Sequence, residues 1–151
     1  MVIGAVSLEQ VQAARRARPQ ERFLLQSHLE PVPLGDRPAW FRTLYCAGEI
    51  FACWWHPQDH LYTPVSAEEE ERYKLTPLRS MASAIAHLSG MDLFSSEIAL
   101  APDGRFIVVD YVNDPLDLLQ SCTPEGVPDA IVKAIANRLV ALAHRFRHRD
   151  F

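Results

Sequence analysis

A carboxylate set inside an apolar β-strand constrains a chain strongly, because an ionised oxygen taken out of water must find a cation or a hydrogen-bond donor. The stretch from Leu93 to Asp117, LFSSEIALAPDGRFIVVDYVNDPLD, presents this situation twice. It is predicted as a β-hairpin with Glu97 on its first strand and Asp110 near the end of its second, followed by Asn113 and Pro115. Pro102-Asp103-Gly104 supplies the turn, with Gly104 free to take positive φ. A bound divalent cation is one partner for carboxylates so placed, and Mg²⁺ takes oxygen ligands of this kind.

Register decides whether the two carboxylates can cooperate, since strand residues alternate faces. If Leu100 pairs with Arg105, Asp110 stands opposite Ser95 and diagonal to Glu97 on one face. If Ala101 pairs with Arg105, the two acids fall on opposite faces. A shared cation requires the first register, or a bulge.

The 151 residues are enough for one domain with a sizeable core, and 48% hydrophobic with 23% charged residues is an ordinary globular composition. The formal charge of −4 gives no electrostatic ground for nucleic-acid binding. Arg145, Arg147 and Arg149 read as a solvated helix end, where cations suit the dipole. No apolar run approaches the roughly 20 residues that span a bilayer, and the N-terminus has no basic segment leading into an apolar signal core. The expected location is cytoplasmic. Cys46, Cys53 and Cys122 are odd in number and read as buried free thiols.

Along the chain, Ser7 caps a helix running to Ala17, with Pro19 beyond it. RFLLQSHL, Arg22 to Leu29, is predicted as a strand, and the proline-rich segment Glu30 to Pro38 as a loop. Strands at Trp40 to Cys46 and Glu49 to Trp55 join at Ala47-Gly48, a hairpin signal. His56 to Tyr73 is irregular, with the acidic run Glu68 to Glu71 read as a solvated helix start or loop. A helix opens at Thr76-Pro77 with Met81, Ile85 and Leu88 as its apolar stripe. The last helix, Val127 to His148, buries Ile131, Ile135, Leu139 and Leu142. The pattern predicts one α+β domain with a largely antiparallel sheet packed with helices.

Taken in order, LLQSHLEP, FRTLYCAGEIFACWW and SSEIALAPDGRFIVVDYVNDP resemble the C-terminal portion of an ATP-grasp domain, the nucleotide-binding fold of many carboxylate–amine ligases. In that family an adenine-binding hinge precedes an arginine-bearing hairpin, a helix and an acidic magnesium hairpin. The resemblance implies a part of a longer ATP-grasp fold that binds ATP and Mg²⁺ and activates a small carboxylate as an acyl phosphate for attack by an amine. It implies Glu97, Asp110 and Asn113 as magnesium ligands and Arg42 as the catalytic arginine. Gln26, His28, Leu29 and Glu30 take the hinge positions, Glu30 facing the ribose hydroxyls.

The chain departs from the family pattern at three points. Val112 stands where asparagine is usual, so Asn113 needs a bulge to reach the ion, and Asp114 is the substitute. Trp54 and Trp55 occupy positions where some relatives carry arginines. The upstream phosphate-binding lysines have no counterpart, since Lys74 and Lys133 both follow the first strand, and Gly4-Ala5-Val6 is all that stands for the upstream lobe. A catalytically inactive remnant acting as an oligomerisation or regulatory module, and forming a homodimer, is the alternative expectation. A zinc site at Cys46, Cys53, His56 and His60 lacks a second CxxC and alternates with aromatics. Trp54, Trp55 and Tyr62 read as core or interface packing.

Overall fold

A computed structural model describes residues 4–113 and 120–147. The chain divides into two compact units, Met1–Glu30 and Pro31–Phe151. Asp114, Pro115, Asp117, His148 and Arg149, named above, lie outside the described residues.

The first unit holds helix α1, Leu8–Ala17. The Ser7 side chain accepts from the Gln10 amide, Glu9 lies in the first turn, and Arg15 and Arg16 lie in the last, all complementing the helix dipole. The strand expected from Arg22 to Leu29 does not form. An extended segment becomes a strand only when a partner ladder takes up its N–H and C=O groups. No strand among the described residues pairs with it, and Leu24 and Leu25 stand exposed.

The second unit is built on a five-stranded antiparallel sheet. Its strands are β3 (Trp40–Cys46), β4 (Glu49–Trp55), β5 (Tyr62–Pro64), β6 (Leu93–Leu100) and β7 (Phe106–Asn113), in the order β5-β4-β3-β6-β7. A two-residue hairpin, β1 (Pro33–Leu34) with β2 (Arg37–Pro38), turns at Gly35-Asp36 inside the segment read as loop. Strand β5 was also hidden in sequence, because three residues carry no periodicity. Ala47 and Gly48 both take positive φ, 46° and 93°, as a two-residue hairpin turn demands. The fold class is α+β, an antiparallel sheet packed with helices.

Helix α2 (Ala67–Arg72) turns the acidic run into a capped helix, since Ser66 and Glu69 form a reciprocal capping box. Helix α3 (Thr76–Ser89) begins with Pro77 in its first turn and ends at Gly90 with φ 68°. Its buried side chains are Leu78, Ala82 and Ala86; of the expected stripe, Met81 packs partly buried against the core and Ile85 is half-buried. The alanines let the helix lie close to the sheet, and Leu88 faces outward at 85% exposure. Helix α4 (Asp129–Arg147) packs on the opposite face.

Alternation along β3 sends Phe41 to the α3 side, in a core with Ala39, Ala52, Trp54, Leu75, Leu78 and Ile98. Leu44 turns to the α4 side with Cys53, Trp55, Tyr62, Val127 and Ile131. Arg138 donates through Nε and Nη2 to the Ala47 carbonyl at 3.0 and 2.7 Å, fastening α4 to the β3–β4 turn. Cys46 and Cys53 are buried free thiols as expected, whereas Cys122 is exposed. Among the described residues no helix is long and apolar enough to cross a membrane.

Leu78 is fully buried between α3 and the sheet. Leu78→Ala is expected to cost about 2–5 kcal/mol by lost burial and the cavity left behind. Urea unfolding of the two chains measures it, and a loss under about 1 kcal/mol would show that α3 does not anchor this core.

Candidate functional site

The β6–β7 hairpin leaves its turn in the register that sequence reasoning judged unfavourable. The Ala101 amide donates to the Arg105 carbonyl at 2.9 Å, and the Gly104 amide to the Ala101 carbonyl at 2.9 Å. Gly104 takes φ 82° to close the three-residue loop. Leu100, Ala99 and Ile98 then pair with Phe106, Ile107 and Val108. Continued unbroken, this pairing would send Glu97 and Asp110 to opposite faces. A shift between Ile98 and Glu97 adds one residue to β7, and Glu97 pairs directly with Asp110. A second shift sets the Asn113 backbone opposite Ser95.

Strand β3 continues the row. Arg42 pairs with Glu97 on one side and Cys53 on the other, so Arg42, Glu97 and Asp110 stand side by side on three adjacent strands. They share the α4 face. Helix α4 engages Leu44 and Cys53 through Ile131, with Val127 just before the helix in the same cluster, and the row lies at the level of Cys53.

Four partners surround the Arg42 guanidinium. Its Nε donates to the Ser95 hydroxyl at 3.2 Å, and its Nη1 lies 3.6 Å from Glu97 Oε1. Its carbon sits 5.3 Å from the centre of the Trp55 ring and 6.0 Å from that of Tyr62, in cation–π range. A planar, always charged group fits this sandwich better than a lysine would. The Arg42 and Glu97 side chains are only 13% and 15% exposed, which keeps their interaction from the screening that weakens surface pairs.

Burial pushes the Glu97 carboxyl above its ordinary value of 4.5. Arg42 opposes that shift most, Trp40 next, while Asp110 adds to it and His60 eases it. Asp110 is exposed, so the pair grades from a sheltered carboxylate to an open one. Beside them, Trp55 stacks on His60 at 5.3 Å with the rings within 3° of parallel, and His60 holds positive φ, 59°.

The structure therefore brings Arg42, Glu97 and Asp110 together. It places the Asn113 backbone at the end of the same hairpin. Gln26, His28, Leu29 and Glu30 belong to the first unit, as irregular backbone, with His28 Nε2 3.6 Å from Glu30 Oε1. The expected hinge strand is absent there. Cys53 is buried, which pushes its thiol up to about 12. Among the described residues no three His, Cys, Asp or Glu side chains gather to hold an ion.

Ser95 and Trp40 were missed as site residues, and Tyr62 and His60 were weighed only as aromatic packing and as part of a zinc site. Trp40 and Ser95 each lie two positions from a residue singled out in sequence, on the same strand, and period-two alternation alone would have put them on its face. Tyr62 and His60 carried no such signal. Comparison of the chain with protein-family models, with curated proteins and with solved structures finds no match.

The raised Glu97 carboxyl sets a pH dependence. Between the unfolded and folded values the folded chain holds the extra proton, so this group makes stability fall as pH rises through the window above 4.5. Glu97→Gln removes that linkage. Wild type should lose stability relative to the variant across this window in urea titrations at stepped pH, and parallel curves would refute the assignment.

Proposed function

We propose that this chain carries the magnesium- and phosphate-binding face of an ATP-grasp-type ligase, which activates a small carboxylate as an acyl phosphate for attack by an amine. The observation that supports this most is the row Arg42, Glu97 and Asp110, set side by side across β3, β6 and β7 by a bulge. The register break between Ile98 and Glu97 brings Asp110 opposite Glu97, which the β3–β6 ladder already sets beside Arg42. Bulges are over-represented where a strand re-aims functional side chains.

The donor set suits Mg²⁺. This ion keeps several waters and takes one or two carboxylates, with substrate phosphates completing its shell. Glu97 and Asp110 are those two carboxylates. With Arg42 they sum to one negative charge, which a divalent ion turns into one positive charge, ready for a phosphate oxygen. When bound, the ion neutralises charge on the phosphates during transfer.

Within the chain, Arg42 holds a phosphate or acyl-phosphate oxygen by charge-assisted hydrogen bonds. It neither gives nor takes a proton, because a guanidinium stays charged. Ser95, Trp55 and Tyr62 keep it aimed. In the reaction, a substrate carboxylate oxygen attacks the γ-phosphorus of ATP and ADP leaves. The amine nitrogen then attacks the acyl carbon, and phosphate departs as the amine loses a proton. The opposite wall of an ATP-grasp site, with its lysines and glycine-rich loop, comes from a second lobe, so this face binds nucleotide weakly by itself.

A second reading, a self-associating module without turnover, draws on a different surface. Ile85, Leu88, Val108 and Tyr111 line an apolar groove beside β7, an edge strand, with Leu88 85% and Tyr111 67% exposed. A second copy could cover this groove by antiparallel pairing of β7 with its own symmetry mate. Light scattering of the chain and of Tyr111→Lys decides it: a dimer that the variant dissociates supports self-association, and a monomer removes it.

For the ligase reading, calorimetry should detect ADP binding that requires Mg²⁺ and that Asp110→Asn abolishes. No binding by folded wild-type chain, or binding indifferent to Asp110→Asn, would sink the proposal.

A further inference from the structure

Two of the three buried polar atoms without a hydrogen-bond partner among the described residues are indole N–H groups beside Arg42, at Trp40 Nε1 and Trp55 Nε1. The register that pairs Phe41 with Trp54 and Arg42 with Cys53, carried one residue further, brings Trp40 and Trp55 opposite each other on the α4 face. Arg42 stands two residues along β3 from Trp40 and lies over the Trp55 ring. Trp55 is 7% exposed. Trp40 lies near enough to Glu97 to favour its ionised form, without hydrogen-bonding geometry. The third indole, Trp54, belongs to the α3 face and donates to Glu69 Oε1 at 3.2 Å.

A buried donor without an acceptor costs about 1–3 kcal/mol, and native chains tolerate it mainly where water or a ligand completes the bond. An indole N–H only donates, and so does a guanidinium. The two indole donors ask for an acceptor, and the Arg42 charge beside them, already shared with Ser95 and Glu97, favours one that is negative.

We infer that Trp40 Nε1, Trp55 Nε1 and Arg42 form an oxyanion subsite that takes a carboxylate or phosphate oxygen of a small-molecule ligand. The inference rests on the reading of this face as a ligand site, and it names the groups that read the ligand. Trp55 is its specificity-determining donor, because it is the more deeply buried of the two. A ligand offering an ammonium or a hydrocarbon at this point leaves the donors unsatisfied and is rejected on that ground.

The three indole N–H signals in a ¹H–¹⁵N spectrum of the labelled chain make the test, each assigned by a Trp→Phe variant. Separate arms add acetate, inorganic phosphate with Mg²⁺, and ADP with Mg²⁺, each against chloride at matched ionic strength. The Trp40 and Trp55 signals should shift saturably with at least one oxyanion while Trp54, already bonded to Glu69, stays in place. Acetate as the effective arm assigns the subsite to a substrate carboxylate, and the phosphate arms assign it to a phosphoryl group. Trp55→Phe keeps a ring and loses the donor, so the midpoint of the Trp40 shift should move about tenfold higher.

A Trp55 signal indifferent to every oxyanion overturns the inference, as does equal movement of all three. If Trp55→Phe folds poorly, Trp40→Phe and Trp54→Phe assign the third signal by elimination, and the wild-type arms leave the test intact. Magnesium-dependent ADP binding by calorimetry with a still Trp55 signal removes the subsite and keeps the ligase reading. An acetate response without ADP binding keeps the subsite and removes the nucleotide.

Discussion

A guanidinium on the middle strand of a sheet has no route to bulk water along its own plane, and the arrangement around Arg42 follows from that. Strand β3 has a neighbour on each side, so Arg42 must be satisfied by what those neighbours offer. One offers Glu97 and Ser95, the other the ring of Trp55, with Tyr62 beyond. The pairing of β3 with β6 thus joins two segments more than 50 residues apart in the chain through a charge that neither could bury unaided. The same pairing makes β3 central, with one core on each face.

The charge balance on this face is uneven, and the unevenness is informative. One arginine faces two carboxylates, of which Glu97 is sheltered and held above its ordinary titration range while Asp110 meets solvent. A purely structural ion pair would be expected to close on itself. Here the 3.6 Å separation of Arg42 and Glu97 is loose, and the neighbouring indole donors lack partners. The face is thus short of acceptors at one end, at the indoles, and long on carboxylates at the other.

Much of the fold was legible because it depends on local chemistry. The hairpin at Ala47-Gly48, the strands Trp40–Cys46 and Glu49–Trp55, the Ser7 cap and the helix opening at Thr76-Pro77 all announce themselves through turn residues, alternation and caps. The errors share a cause. The segment from Arg22 to Leu29 has strand composition, yet strand formation is decided by whether a partner exists. On α3 the expected stripe held at Met81, which packs against the core, and failed at Leu88, because close contact with the sheet selected Ala82 and Ala86.

Residue types, their spacing and the turn at Pro102-Asp103-Gly104 determined that a hairpin would carry Glu97 and Asp110, and that both needed a positive partner. Alternation placed Arg42 on a strand without saying which strand would lie beside it. Only tertiary structure decided that β6 would, and that a bulge after Ile98 would reverse the facing of Asp110 relative to the simple ladder. The physical reason is the range of the interactions. Caps, turns and periodicity act over a few residues and are written in the sequence directly. Strand partnership, bulge position and the fate of a buried charge are settled by segments distant in the chain, which meet only when the sheet assembles.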